Sequence, residues 1–528
     1  MRNSKKLQYR LSAFLIVLLL FPSLCHAEYE FEGGASLNIG AGSNDFAPLY
    51  LRANRHGKIT QSKNVQLNIW AEDSLDLSKR FDFSWGVEAL GGYSNRVDYR
   101  RFNEEWLTDP SAQKFLDNPQ GPAAIWLQQL YAEVKWRCLF LSLGLKDRDS
   151  FFVDQALSSG DLLWSGNSRS IPEARVGFVD FQDIPFTKKW VQFDIALSYG
   201  KFMDKNWIYN HFDYWNGKMN PGSLWTYKRL AIRTNPTKPF MFQGGVQLAG
   251  IFGGTTYYYG DGKLNQSYNN YSGFKDYIQM LFPFWSNGRE GYRLGDTKGT
   301  YDIAVRYRFK TDETLRLYVQ WFFEDSSGIA KQNGFDGLWG AEFKFNRNWW
   351  INGIVAEYLD LTHMSGPLAY DPKYEGENYV PHKADGRDAY YNNYYYRSYV
   401  NYGLNMGTPM VQGILFDTGK EKYAYENGII PYFRVRAFHL GFNGTINNNF
   451  DYIVKFGYRK AWGDTNKYTL VHPVSSTNFM VGANYRFDRL PGLSLSAAIG
   501  VDHGTLPSNS FGGMVTLAYE RPFIFSRK

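Results

Sequence analysis

Hydrophobic and polar residues alternate with a period of two in many short segments of this chain. From Leu493 to Val501, the odd-numbered positions hold Leu, Leu, Ala, Ile and Val, and the even-numbered positions hold Ser, Ser, Ala and Gly. From Tyr301 to Phe309, Tyr, Ile, Val, Tyr and Phe alternate with Asp, Ala, Arg and Arg. Successive side chains of a β-strand point to opposite faces, so each such segment predicts a strand with one apolar face.

The alternation predicts about eighteen strands along the chain. They are placed at 47–55, 65–73, 81–93, 127–136, 138–146, 172–178, 190–200, 222–232, 240–252, 301–309, 314–325, 338–345, 350–359, 430–445, 449–461, 478–487, 493–503 and 511–520.

The connections between these strands alternate in length. Those after even-numbered strands are short, such as Arg137-Cys138, and those after odd-numbered strands are mostly long, such as 253–300 and 360–429. Bacterial transmembrane barrels have short periplasmic turns and long outer loops. We therefore predict an all-β transmembrane fold: an about 18-stranded antiparallel outer-membrane β-barrel with long extracellular loops, a few short helices and both termini in the periplasm.

Composition agrees with a barrel better than with a soluble protein or a helical membrane protein. Mean hydropathy is −0.43, yet 18% of the residues are aromatic. Alternating strands keep mean hydropathy low, while aromatic girdles raise the content of Tyr, Trp and Phe. Beyond the N-terminus, no apolar run approaches the roughly 20 residues that a membrane helix needs.

The N-terminus has the pattern of a signal peptide. Basic residues precede an apolar run from Leu11 to Pro22, and Cys25-His26-Ala27 resembles a cleavage site. A lipoprotein signal fits less well, because Phe21 and Pro22 stand where such a motif has small aliphatic residues. We predict a cleaved signal peptide at 1–27 and a single barrel domain at 28–528.

Cleavage changes what the charge and cysteine content imply. It removes four basic residues, which lowers the formal net charge from +7 to +3 and gives no reason to expect nucleic-acid binding. Cys138 is then the one remaining cysteine, so no intramolecular disulfide can form.

Two stretches in the long connections are predicted to be helical. Ser111 to Asp117 follows Asp109-Pro110, which resembles an N-cap, and Phe274 to Phe284 reads FKDYIQMLFPF. They are interpreted either as helices that flank the barrel or as elements that plug its mouth.

A tyrosine-rich segment lies in the longest predicted connection, and hence outside the cell. Asp388 to Gly403 reads DAYYNNYYYRSYVNYG. A tyrosine offers an apolar ring face and a hydroxyl, which match the C–H face and hydroxyl rim of a pyranose. Packing of the loop against itself is an equal alternative, and an interfacial aromatic cluster is a third. The candidate polysaccharide-binding residues here are Tyr390, Tyr391, Tyr394, Tyr395, Tyr396 and Arg397.

The segment WSGNSR, from Trp164 to Arg169, is a second candidate glycan site. Trp164, Asn167 and Arg169 offer a ring, an amide and a guanidinium that a sugar can engage. Gly166 and Asn167 are also turn formers, so a structural turn is at least as good an interpretation.

Alternation also assigns charged residues to the inside of the barrel. We predict a lumen basic stripe of Arg306, Arg308, Arg316, Arg434, Arg436, Lys455, Arg459 and Arg486. Glu324, Glu342 and Glu357 are expected to point inward as well. A salt-bridged, hydrated interior is the simpler interpretation. The alternative is a surface that meets an acidic polysaccharide or guides an anionic solute.

The sequence carries no pattern of catalytic or metal chemistry. None of the eight histidines pairs with another His or Cys at metal-ligand spacing. G-x-S-x-G and a phosphate-binding glycine loop are both absent, and the carboxylates are scattered. We therefore expect no metal, no cofactor and no enzymatic activity.

Several segments together resemble the capsule assembly Wzi family. LSSGDLLWSGNSRSIPEARVGF (Leu157 to Phe178) is followed by IPFTKKW (Ile184 to Trp190), and PLYLRANRHG (Pro48 to Gly57) resembles the family's first strand. Further blocks follow in order at 127–136, 141–149, 322–328, 355–367, 401–410 and 434–444. The resemblance implies an outer-membrane barrel of eighteen strands that acts as a lectin, with helical elements closing its periplasmic end. It assigns no individual sugar-binding residue.

These observations predict an outer-membrane, lectin-like protein that binds and retains capsular polysaccharide or exopolysaccharide at the cell surface. Its expected partners are that polysaccharide, outer-membrane lipid and other capsule export components. The alternative is an outer-membrane porin or a substrate-specific channel for anionic or sugar solutes. An envelope enzyme is a third interpretation, which cleavage of a glycan by the purified protein would establish.

Overall fold

The computed structural model describes most of the chain after residue 28. The described residues are 29–212, 217–260, 263–281, 294–324, 326–331, 333–347, 349–364, 389–393, 395–418, 429–463 and 473–525. The predicted signal peptide and Tyr394 lie outside them.

Eighteen antiparallel strands form one sheet. They are β1 (Tyr29–Gly42), β2 (Asn64–Glu72), β3 (Phe81–Ser94), β4 (Ile125–Trp136), β5 (Leu139–Leu145), β6 (Glu173–Phe178), β7 (Val191–Lys201), β8 (Leu224–Thr234), β9 (Phe240–Phe252), β10 (Asp296–Arg308), β11 (Thr314–Phe323), β12 (Gly337–Lys344), β13 (Gly353–Leu361), β14 (Arg434–Asn447), β15 (Phe450–Trp462), β16 (Val474–Arg486), β17 (Leu493–Gly504) and β18 (Ser510–Phe525). The short pair Gln182–Asp183 continues the β6 position along β7.

The sheet closes on itself, which confirms the predicted barrel. β1 pairs with β2 on one side and with β18 on the other, so that Gly40 lies opposite both Asn64 and Met514. Closure removes the free strand edges that an open sheet would expose. No helix among the described residues is both long enough and apolar enough to cross a membrane.

The two faces of the wall differ as the alternation predicts. On β17, Leu495, Ile499 and Val501 are exposed on the outside, whereas Asp502 is buried on the inside. Exposed aromatic residues gather on the outer face where the short turns lie: Phe81, Trp136, Trp190, Phe240, Tyr307, Trp349, Trp350, Tyr485 and Tyr519. Such a girdle is typical of a barrel at the membrane–water interface.

The connections define two ends of the barrel. At the turn end, consecutive strands are joined by short segments such as 137–138, 235–239 and 309–313. At the loop end, most connections are longer, from 463–473 and 324–336 up to 362–433; the five-residue connection 505–509 is the short exception. β1 begins and β18 ends at the turn end, where Tyr29 pairs with Phe525.

The prediction of the first strand was wrong. Residues 47–55 contain the short helix α1 (Leu49–Arg52), all four residues of which are buried. The wall strand is Tyr29–Gly42, whose sequence YEFEGGASLNIGAG was missed because four glycines weaken its apolar alternation. The apolar residues of PLYLRANRHG are therefore buried by the barrel interior and do not face lipid.

The helices of the described residues all belong to long connections. They are α1, α2 (Lys205–Phe212), α3 (Phe274–Leu281) and α4 (Ser326–Ile329), with 3-10 turns at Glu104–Leu107 and Ile414–Phe416. The helix predicted from Phe274 is thus confirmed up to Leu281. Because these connections start at the loop end, the helical closure of the periplasmic end implied by the family resemblance is not found among the described residues.

The helix predicted at Ser111–Asp117 was wrong. Asp109 Oδ1 accepts hydrogen bonds from the Ser111 backbone N–H, at 2.9 Å, and from its hydroxyl, at 2.6 Å, which forms a local turn and not a helix cap. The chain then returns as a strand, and Phe115–Gln120 pairs with Val97–Phe102 in a hairpin.

Candidate functional site

Three connections fold inward and fill the lumen. We call residues 43–63, 146–172, 389–393 and 395–417 together the plug. Most of its buried apolar side chains belong to one core that also includes wall residues from Ala196 on β7 to Met514 on β18. The described part of the longest connection therefore lies inside the barrel, which corrects its predicted position outside the cell.

The helix α1 is fixed to the wall by polar contacts. The Leu49 backbone N–H donates to Asp502 Oδ2 on β17 at 2.8 Å, and the Tyr50 hydroxyl lies 2.6 Å from His439 Nδ1 on β14. Glycine makes room for it, because a Cβ at Gly457 would lie 2.2 Å from the Tyr50 hydroxyl oxygen. The wall sequence is thus adapted to the segment that it encloses.

Glu357 of β13 anchors the second plug segment. Its carboxylate accepts hydrogen bonds at 2.6 Å from the Ser158 hydroxyl, the Ser159 backbone N–H and the Tyr318 hydroxyl. The glutamate was predicted to point inward, and the structure confirms that. It is buried, so these donors replace the water that would otherwise solvate the carboxylate.

Asp161 sits at the centre of the same segment. It accepts hydrogen bonds from the Ser150 hydroxyl, from the Leu163 and Trp164 backbone N–H groups, and from Gln320 Nε2 of β11. Burial raises the pKa of Asp161 despite these donors. The Leu162 backbone N–H donates to Gln320 Oε1 at 3.0 Å. The Gln320 amide therefore both donates to this segment and accepts from it.

The tyrosine-rich segment packs into this core. Tyr390, Tyr391, Tyr396 and Tyr399 are all 0% exposed. The Tyr391 hydroxyl donates to the Leu162 carbonyl at 2.7 Å, and the Tyr399 hydroxyl donates to the Leu163 carbonyl at 3.0 Å. Tyr395 is partly buried, and its carbonyl accepts a hydrogen bond from Thr256. These contacts are those of the self-packing alternative, and the buried rings offer no face on which a glycan could stack.

The other candidates next to this segment also have internal partners. Arg397 forms a buried ion pair with Asp204, with 2.8 Å between Nη1 and Oδ1, and its guanidinium lies over the Phe202 ring. Trp164 donates through Nε1 to the Arg148 carbonyl at 3.0 Å. The Asn167 amide donates to the Asn405 carbonyl at 2.9 Å.

The segment WSGNSR forms a turn. Gly166 has a φ of +66°, in the left-handed region that favours glycine. The turn is tied to 405–407, because the Ser165 hydroxyl donates to the Gly407 carbonyl at 2.7 Å. This geometry supports the turn interpretation for the first half of the segment.

Several members of the predicted basic stripe do point inward, and their charged groups already contact other residues of the protein. Arg459 is fully buried and donates to the carbonyls of Pro409, Met410 and Leu506. Arg316 Nη1 lies 3.3 Å from Glu342 Oε2. Lys455 is buried near the Tyr50 ring.

At the turn end, the remaining inward arginines brace the turns. Arg306 and Arg308 donate to carbonyls of the 235–239 turn. Arg486 pairs with Asp451. The stripe is therefore divided between the plug and the turns, and these contacts are those of the salt-bridged interior.

The inward orientation predicted for Arg434 and Arg436 was wrong. They share the face of Phe438, which is exposed on the outside, while the alternate residues Val435 and Ala437 are buried in the lumen. Arg434 Nη1 donates to the Thr362 carbonyl, and Arg436 pairs with Asp360. The error arose because β14 begins with polar residues on its outer face, above the apolar belt.

Arg169 differs from the other candidates. It is partly exposed, and its guanidinium lies close to two rings, 4.5 Å from the centroid of Trp126 and 4.6 Å from that of Tyr402. We call these three residues the Arg169 stack. Trp126 is the second residue of β4, so the stack lies at the loop end of the lumen. Trp126 was missed because its only sequence signal was an aromatic residue at a strand terminus.

Comparison with known proteins supports the fold. No family model and no curated protein matches the chain. Among solved structures, Wzi of Escherichia coli aligns over 96% of this chain and 88% of its own, with a TM-score of 0.54 and 12% identity. OccAB4 of Acinetobacter baumannii (TM-score 0.42, 13% identity) and OccK5 of Pseudomonas aeruginosa (0.40, 9%) align over 94% and 93% of this chain and over 100% and 98% of their own.

The closed sheet and the likeness to Wzi define the class: the chain has the fold of an outer-membrane β-barrel. At 12% identity the likeness speaks for the architecture alone. Membership in the Wzi family, predicted from the sequence blocks, stays a prediction.

Proposed function

We propose that this barrel binds and retains capsular polysaccharide or exopolysaccharide at the cell surface, without covalent chemistry. The observation that carries the proposal is the filled lumen. An eighteen-stranded barrel is wide enough to leave an aqueous channel when its interior is empty. Here the interior is occupied by a core with its own hydrogen bonds to the wall, which suits a binding scaffold better than a conduit.

The solved structures add support of a limited kind. Wzi is a carbohydrate-binding barrel involved in group 1 capsule assembly in Escherichia coli. A shared fold does not by itself transfer a function. The proposal therefore rests on the plug together with the order of the sequence blocks that resemble the Wzi family.

A deletion strain tests the proposal directly. Cells lacking the gene are expected to synthesise the glycan but release it into the medium, so that surface staining falls and soluble glycan rises. Complementation with the intact gene should restore staining. Unchanged surface retention in the deletion strain would reject the proposal.

An outer-membrane channel is the second candidate, favoured by the charge on the lumen wall. Ion pairs lie along the lumen between β4 and β8: Glu133 pairs with Lys146 and Arg148 of the plug, Glu173 with Arg148 and with Arg175 of the wall, and Asp194 with Arg229. Such a wall could guide a charged or sugar solute if the plug moved. Conductance in a planar bilayer separates the two candidates, because a lectin with a filled lumen should pass little current.

A further inference from the structure

We propose that the Arg169 stack is an anion subsite for a carboxylate-bearing glycan, that is, one containing uronic or similar acidic sugars. The proposal rests on the glycan-binding function proposed above and names the place and the chemistry of one contact. It concerns the loop end of the barrel, where a polymer outside the cell would first meet the lumen.

The first argument is the geometry of the guanidinium. Trp126 and Tyr402 both pack against the Arg169 guanidinium, with ring centroids 4.5 and 4.6 Å from its central carbon. The edge of a guanidinium carries coplanar N–H groups that match the two oxygens of a carboxylate. The stack thus presents a fixed donor edge to a carboxylate.

The second argument is that Arg169 lacks an acidic partner. Among the residues that the structure describes, no carboxylate oxygen lies within 4.0 Å of its guanidinium nitrogens, whereas Lys58, Arg148, Arg316 and Arg397 each have a carboxylate partner. Burial lowers the pKa of Arg169, and Tyr402 and Asp147 only partly offset that effect. A desolvated cation without a partner gains more from a bound anion than a solvated one does.

The nearest carboxylates are already engaged. Asp147 accepts from Gln128 and Ser170 and lies 3.3 Å from Lys58 Nζ. Asp204, which accepts from the Tyr402 backbone N–H, is paired with Arg397. These two carboxylates are therefore not available to neutralise Arg169.

The third argument is that the chain holds Arg169 in place. Its carbonyl accepts from the Asn401 amide at 2.8 Å. Gly57 approaches closely from the other side with a φ of +65°, and a Cβ there would lie 3.0 Å from Arg169 Cγ. A side chain fixed before binding loses less entropy when a ligand arrives.

The test uses the full-length protein in detergent and surface polysaccharide extracted from the cells that make it. One portion of the polysaccharide is left native, and in the other the carboxyl groups are reduced to alcohols. Binding of wild type, R169Q and R96Q to both is measured by titration. Arg96 is an exposed cation at the same end of the barrel and outside the stack, so R96Q is the matched charge control.

We expect R169Q to weaken binding to the native polysaccharide by about tenfold or more, as for loss of a charge-assisted contact. Carboxyl reduction should weaken wild-type binding by a similar factor, with little further loss in R169Q. R96Q should bind as wild type does. R169K, which keeps the charge without the planar edge, should fall between wild type and R169Q.

Three results would overturn the inference. In the first, R169Q binds the native polysaccharide as wild type does. In the second, R169Q lowers the affinity for native and for reduced polysaccharide by the same factor. The role of the stack would then be structural, through its cation–π contacts alone. In the third, wild type binds both portions equally, which would leave the proposed function intact and remove this subsite. If wild type binds neither portion, the proposed function fails together with the inference.

Discussion

Glu357 shows how a single wall residue can hold a plug in place. Three donors converge on its carboxylate at 2.6 Å, two from the plug and one from the wall residue Tyr318, two strands away on β11. Each of these donors would be left without a partner if the carboxylate were removed. A buried donor without a partner costs about 1–3 kcal/mol, so the effect on plug attachment should be large.

We predict that E357A loosens residues 146–172 while the barrel still folds. Cleavage of that segment by an added protease should accelerate by roughly tenfold or more, corresponding to the loss of one or two such hydrogen bonds. E357Q keeps the shape and two acceptor lone pairs, so its cleavage rate should lie much closer to wild type. Gel mobility of the unheated sample checks that the barrel is intact. An unchanged cleavage rate in E357A would show that Glu357 does not anchor the plug.

At the scale of the element, the sequence pattern predicted the wall well and the plug poorly. The wall strands have a period of two because one face meets lipid and the other meets the lumen. Outward apolar residues such as Ile499 and Val501 can therefore be recognised from the sequence. Plug segments obey no period, since they are buried on all sides. The apolar residues of α1 were therefore taken for a strand, while the glycine-rich β1 was missed.

The candidate site follows the same division. Tyrosine enrichment at 389–402 was visible in the sequence, but whether those rings face a glycan or each other depends on where the connection folds. Tyr391 and Tyr399 contact Leu162 and Leu163, which lie more than two hundred residues earlier in the chain. A single sequence does not encode such a contact as a local pattern. The sequence made Arg169 a candidate because it lies in the segment WSGNSR. It gave no such reason to select Trp126, which packs against it.

Glycines on the wall offer a test of how α1 fits. A Cβ at Gly457 would lie 2.2 Å from the Tyr50 hydroxyl oxygen, whereas at Gly482 on the next strand the nearest atom would be a flexible Ile453 methyl group at 3.2 Å. We predict that G457A displaces α1 and lowers the free energy of unfolding of the plug by an amount typical of overpacking, about 1–3 kcal/mol. The melting temperature should fall accordingly. G482A is the matched control and should behave nearly as wild type. Equal melting temperatures for G457A and wild type would contradict this fit.

For the whole molecule, the plug and the barrel are separable in principle. The wall closes through its own ladders of hydrogen bonds, and Leu361 on β13 pairs directly with Val435 on β14. The 362–433 connection therefore leaves and re-enters the wall at neighbouring positions. A turn of a few residues can join two such adjacent antiparallel strands, so the barrel need not depend on this connection to close.

We predict that replacing 364–431 by a short Gly/Asn-containing turn yields a folded barrel with an open passage. The deletion removes two of the three carbonyls that Arg459 binds and the tyrosines that pack on Leu162 and Leu163, so water should enter the lumen. In planar bilayers the variant should show discrete channel openings, because loss of one of the three plug connections frees part of the interior of a barrel wide enough to hold an aqueous path. Wild-type protein under the same conditions should be nearly silent. If wild type conducts as strongly as the deletion variant, the plug does not seal the barrel, and the channel becomes the better account of its function.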